Sequence, residues 1–379
     1  MSAKPQISIA EHFSQVKDPR RHHVEHLLVE IIIIAICAVI CGADSWVEVA
    51  EFGKAKQAWL QTFLLLPNGI PSHDTFGRVF GQIDPRSFQE SFINWVNAVN
   101  RATAGQIIAI DGKRLRRSHD GRLGKQAIHM VSAWANEARL VLGQVKTDEK
   151  SNEITAIPQL LELLALRGCI VTIDAMGCQT EIAQKIVAAG GDYVLALKGN
   201  QGTLHDEVKD LFAYAREIEF KDVKHDFTQT IDKGHGRIEV RRYWTISDPE
   251  FITFLNSKGK WAGLQSIGMV ESQRTLAGRV SIEVRYYISS LPGEAVQLAT
   301  AVRTHWEIEN KVHWVLDIAF REDLSRVRHG FAAENFAVLR HTALNLLQHE
   351  TSAKCGIKAK RLKAGWNEDY LLKVLTSLT

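Results

Sequence analysis

Near Gln106 the hydrophobic pattern of this chain switches from helical spacing to short strand-like runs. That switch restricts the fold more than any other feature. Upstream, residues 1–100 read as helices, opened by the basic, turn-prone segment Asp18-Pro19-Arg20-Arg21-His22-His23. An apolar helix follows, then one over 46–66 that Pro67-Asn68-Gly69 breaks. Two short helices come next, the first capped near Ser72 or Asp74, the second with Asp84 as N-cap and Pro85 at its first position. Joined across Gly81-Gln82-Ile83-Asp84, they fit either a helix-turn-helix or a plain helical hairpin.

Downstream, 107–111 is an apolar run suited to a buried strand, and 126–135 and 139–145 read as two more strands around an Asn136-Glu137 turn. A helix over 154–166, a strand over 169–174, a helix from Thr180 stopped by Gly190-Gly191, and a strand over 193–197 complete the series. This order predicts an α/β fold, a mixed sheet with helices on its faces. Between about 201 and 292 lie strand patterns at 227–231, 237–245, 264–270 and 280–289, read as a β-rich insertion. Helical spacing returns over 294–320, 332–349 and 368–375.

The 379 residues, 45% hydrophobic and 23% charged, leave room for two or three domains and exclude disordered, collagen-like and small disulfide-scaffold classes. A net charge of +3 permits an anionic partner without demanding one. Cys37, Cys41, Cys169, Cys178 and Cys355 form no zinc-like spacing, so a reducing, cytoplasmic setting is expected. The apolar stretch 27–43 contains Glu30, and its uncharged part, 31–43, falls short of the roughly 20 residues of a membrane span. It reads as a core helix, with a membrane-embedded segment as the alternative.

Asp111 and Asp174 each end an apolar run, and ligands gather at the carboxyl ends of strands in such sheets. Two carboxylates on neighbouring strands repel unless a cation lies between them, and magnesium or manganese suits all-oxygen donors. Each Asp could instead cap a turn. A third candidate lies at 305–314, where His305, Glu309 and His313 are spaced i, i+4, i+8 along one helix face. Glu307, Asp317, Glu322 and Asp323 are rival acids, and a solvated stripe is the bland reading.

Basic residues flank these acids: Lys113, Arg114, Arg116 and Arg117; Arg237, Arg241 and Arg242 after Gly234-His235-Gly236; Arg326, Arg328 and His329; and Lys358, Lys360, Arg361 and Lys363. Lys198 and Asn200 end the fifth strand and could reach the same place. Such bases suit a polyanion led to a metal site, though each cluster alone could be a solvated face. No P-loop, nucleophile elbow or His-Glu-x-x-His helix is present.

The segments Asp111-Gly-Lys-Arg-Leu-Arg116, Lys146-Thr-Asp-Glu-Lys-Ser-Asn-Glu-Ile-Thr-Ala-Ile-Pro158, Asp174-Ala-Met-Gly-Cys-Gln179, Leu197-Lys-Gly-Asn-Gln201 and His305-Trp-x-x-Glu-Asn310 resemble the H-repeat-associated insertion-sequence transposases, a branch of the DDE transposases. The resemblance covers nearly the whole chain. It implies a ribonuclease H-like core over 105–379 carrying the β-rich insertion, and an all-α N-terminal domain over 1–104 for DNA recognition. It implies that Asp111, Asp174 and Glu309 hold Mg2+, or Mn2+, and catalyse cleavage at element ends followed by strand transfer. Double-stranded DNA is the implied partner, with a homodimer on DNA and no membrane. Lys113, Arg114, Lys198, Asn200, Arg237, Arg241, His305, Arg326 and Arg328 are the candidate DNA contacts. Where the wider group often carries Tyr, Arg and Lys around the Glu, this chain has Val302, His305 and Leu316. A catalytically silent, transposase-derived DNA-binding protein is the alternative function.

Overall fold

A computed structural model of the chain describes residues 8–21, 24–100, 105–117, 127–147, 153–234 and 236–378. His22, His23, Gln126, His235 and the 148–152 part of the second motif lie outside them. The order of elements is α1 Ser8–Phe13, α2 Leu28–Ile40, α3 Trp46–Ala55, α4 Gln57–Leu60, α5 His73–Gln82 and α6 Pro85–Val99, then β1 Ile107–Arg114, β2 His129–Ala135, β3 Leu140–Lys146, α7 Glu153–Glu162, β4 Ile170–Ile173, α8 Thr180–Ala188 and β5 Asp192–Leu197. There follow α9 Gly202–Glu217, β6 His225–Gly234, β7 Arg237–Ile246, α10 Pro249–Leu255, β8 Ser266–Leu276 and β9 Arg279–Ser289. The chain ends in α11 Ala295–His305, a π turn Glu309–His313, α12 Trp314–Ala319, α13 Ala332–His349, α14 Ile357–Trp366 and α15 Glu368–Leu375.

The strands form one nine-stranded sheet in the order β3-β2-β1-β4-β5-β9-β8-β7-β6. β1, β4 and β5 are parallel, and β2 runs antiparallel between β1 and β3. That is the ribonuclease H-like arrangement, placed here by five short apolar runs of the expected order. The strands of the insertion extend the same sheet, because β9 pairs antiparallel with β5. The insertion is less purely β than expected: it opens with α9, whose Leu204, Val208, Phe212 and Ala215 form a buried helical stripe.

α2 is a core helix. Residues Ile31 to Ile40 are fully buried, and the Glu30 carboxylate is held by the Leu65 and Leu66 backbone N–H groups at 2.9 Å. Among the described residues no helix is long and apolar enough to cross a membrane. α2 packs on α13, α14 and α15, and α6 packs on β3 and α13, so the helices before the sheet share a core with those after it. Ser72 and Asp84 cap α5 and α6 through the Thr75 and Ser87 N–H groups, with Pro85 at N1. The two helices meet at a corner closed by Phe80 against Phe88, and each packs on α13 instead of lying alongside the other, which corrects the plain hairpin reading.

Further local expectations are corrected. The helix over 46–66 ends sooner, splitting at Lys56, and Leu66 takes a positive φ. Thr180 starts α8 but does not cap it; Gln179 holds that place, without a side-chain bond. In α14, Arg361 is turned inward to the Val39 and Ala43 carbonyls at the end of α2, and Lys360 donates to the Leu347 carbonyl. These two bases cap buried helix ends and do not face solvent.

Candidate active site

The register of β1 and β4 decides where the two aspartates stand. Their parallel pairing ends at Ile110 opposite Ile173, so Asp111 and Asp174 come next on adjacent strands. Asp174 does follow the end of β4. Asp111 does not end β1, which runs on through Arg114 while paired with β2, and Asp111 faces Ser132 there. The carboxylate of Asp174 also does the modest work of a cap, since its Oδ1 accepts the Met176 and Gly177 N–H groups. Asn200 donates to the Ala175 carbonyl at 2.6 Å and so ties the loop after β5 to this turn.

The third acid arrives on a distorted helix. The continuous helix expected over 294–320 is interrupted after His305, and Glu309–His313 winds as a π turn. Such turns are frequent at functional sites because the extra residue re-aims a side chain. Here Glu309 Oε2 lies 3.1 Å from His313 Nδ1, and the same nitrogen is 3.4 Å from Asp111 Oδ2. Asp111, Glu309 and His313 offer donor atoms that all lie within 4.8 Å of one another. His313 is buried and fixes the geometry, while Glu309 is exposed toward the cleft.

Asp111, Asp174 and Glu309 line one cleft of about 530 Å³ with Lys198, His305, Arg285, Tyr286 and Trp306. Glu307 faces a different depression, beside Trp134, Lys311 and Cys355. The other rivals are engaged elsewhere. Asp317 and Glu322 bind Lys113 at 2.5 and 2.9 Å, and Asp323 meets Arg116 at 3.2 Å. Burial pushes the Asp111 carboxyl up to about 6 against the pull of His313. Burial, with the nearby Glu153 charge, also raises Asp174. The His313 hydrogen bond lowers Glu309. Crowded, partly desolvated acids of this kind, with one imidazole among them, are a donor set that a hard divalent cation satisfies.

The candidate DNA contacts divide into two groups. Lys198 is exposed at the cleft, where its charge acts on Asp174. Arg114 and Arg326 are exposed, and Arg328 donates to the Arg117 carbonyl. Arg237 and Arg241 lie on β7 and pair with Glu239, Arg241 also with Asp232 at 2.5 Å. Two assignments are corrected. Lys113 points inward, enclosed by Asp317, Glu322 and the His313 carbonyl, so its ammonium braces the π turn against β1 and is not offered to a ligand. His305 is sunk into the cleft wall with Nδ1 3.1 Å from Thr172 Oγ1, and burial drives its imidazole down to about 4. Burial thus favours the neutral ring in the free cleft. Sequence reading gave Glu153 no role, although it lies within the Lys146–Pro158 motif and opens a helix.

Residues 102–346 match the family described as Transposase DDE domain, and residues 10–96 match the one described as DDE_Tnp_1-associated. The "H repeat-associated putative transposase YhhI" of Escherichia coli (strain K12) is 42% identical over 372 residues, 97% of each chain. The "Putative transposase YncI" of Escherichia coli O157:H7 is 44% identical over 375 residues, 98% of this chain and 95% of that one.

Proposed function

This chain belongs to the DNA transposases with a DDE domain, and from that premise we propose that the cleft of Asp111, Asp174 and Glu309 carries out metal-dependent phosphoryl transfer on the ends of an insertion sequence. The observation that carries the reading is the convergence of these acids, two from adjacent strands and one from a π turn, on a single open cleft. Bound Mg2+ or Mn2+ would activate the attacking oxygen and stabilise the leaving one. Asp111, Asp174 and Glu309 would hold the ions, with His313 fixing the Glu309 carboxylate and Lys113 holding the turn that presents it. Lys198, on the cleft rim, is placed to meet a backbone phosphate.

Water attacks the phosphorus at the element's end and frees a 3′-hydroxyl; that hydroxyl then attacks target DNA, and each step breaks one P–O bond as it makes another. No protein nucleophile is required. We assign end recognition to the helices of 1–104 together with the sheet extension of 201–292, and pairing of two ends to a homodimer acting in the cytoplasm.

The test is cleavage of DNA carrying the element ends, with Mg2+ or Mn2+, by the intact protein and by Asp174→Asn. Metal-dependent nicking that the variant loses while still binding the ends supports the reading. Binding without cleavage under either metal would instead indicate a silent DNA-binding relic.

A further inference from the structure

Glu153, the first residue of α7, is buried beside the aspartates yet belongs to none of the acids assigned above. Its Oε1 lies 2.8 Å from Nε2 of His129, the first residue of β2. Gly112, directly after Asp111, leaves the room it needs: a Cβ there would collide with the Glu153 carboxylate and the His129 ring. α7 therefore brings its leading carboxylate against β1 at the point where β1 and β4 present Asp111 and Asp174. Its charge bears on both aspartates. Asp111 thus has Glu309 and His313 donor atoms within 4.8 Å and the like charges of Asp174 and Glu153 acting on it.

Carboxylates whose charges act on one another in a partly buried place are costly unless positive charge offsets them. His129 supplies at most one such charge, and it is only partly buried. We propose that Glu153 is a fourth metal-holding acid of this site, acting with Asp111 and Asp174 on the bound divalent cation, and that His129 is the positioning residue that sets its carboxylate. The inference rests on the metal-dependent reading above and adds a residue to it.

A role in holding metal and a role in the scaffold alone have opposite signatures. Glu153→Gln keeps the side-chain shape and removes one negative charge from the cluster. The expected result is a higher melting temperature for the metal-free full-length protein, because like-charge repulsion is relieved. The expected Mn2+ affinity, read by calorimetric titration and by the Mn2+ electron paramagnetic resonance signal, falls by about 10–100-fold. His129→Gln, which leaves the carboxylate in place, should weaken Mn2+ binding by a smaller factor. Equal Mn2+ affinity in Glu153→Gln and the unaltered protein would overturn the proposal, as would a lower metal-free melting temperature, which marks an ordinary ion pair with His129. Failure of the unaltered protein to bind Mn2+ would overturn the metal-dependent reading itself.

Discussion

From β3 to β5 the strands are four to eight residues long, and their central residues are buried on both faces. From β9 to β6 they are ten or eleven residues long, and their far halves carry exposed Ile231, Ile238, Val280 and Ile282. The first half is covered by packing, with α6 and α7 on β3 and α11 on β1 and β4; α11 also reaches across to β6 and β7. The far part of the second is held by its ladders and by ion pairs such as Arg241 with Glu239 and Arg242 with Glu271. The comparison shows how labour is divided within one sheet. Register within the packed half places Asp111 beside Asp174, while the far ends of β6 to β9 stand clear of that core.

The largest expected effect comes from the packed half. Asp111→Asn should lower end nicking by on the order of 10²–10³-fold or more, with end binding retained in a mobility-shift assay. The same change should flatten a pH slope. Folding favours the protonated form of Asp111, so its contribution is present below its ordinary value of 3.8 and is lost as pH rises through about 6. Melting curves of the metal-free protein should show the unaltered chain losing stability across that window and Asp111→Asn losing less.

Next in size is Lys113→Met, which removes the nearer of the two cations on the buried Glu322 carboxylate, leaving Arg340 at 3.7 Å, and should cost about 3 kcal/mol in urea unfolding. A loss below about 1 kcal/mol would show that the lysine is not braced inside.

A matched pair probes the two halves directly. Ile110→Ala empties a fully buried position and should cost about 2–5 kcal/mol, whereas Ile282→Ala, at 62% exposure, should stay within about 0.5 kcal/mol. Equal losses would erase the distinction between the halves. The smallest effect is expected at the tip of the extension. Arg237→Gln should leave stability unchanged and reduce the salt dependence of DNA binding by about one phosphate contact; an unchanged slope would remove β7 from the DNA path.

Much of this was legible in the sequence because it is local. The apolar runs ending at Asp111 and Asp174 announce buried strands, and Ser72, Asp84 and Pro85 announce helix starts. What was not legible depends on partners far along the chain. Lys113 looks like a surface base until Asp317 and Glu322, some two hundred residues later, are folded onto it. Arg361 looks like part of a basic tail until it meets the end of α2. The π turn leaves no mark, because Glu309 to His313 has ordinary helical composition and only its packing against β1 reveals the extra residue. α9 is a different case: its i, i+4, i+8 stripe was present and was outweighed by the strand patterns that follow it.

The central claim is that one cleft gathers two strand acids and the π-turn acid Glu309 for phosphoryl transfer. The most direct measurement is single-turnover nicking of end DNA in Mn2+ by Glu309→Gln beside Glu307→Gln, two substitutions two residues apart on the same segment. The account predicts that Glu309→Gln loses nicking by at least about 100-fold while Glu307→Gln cuts as the unaltered protein does. The reverse pattern, or equal activity in both, would contradict it.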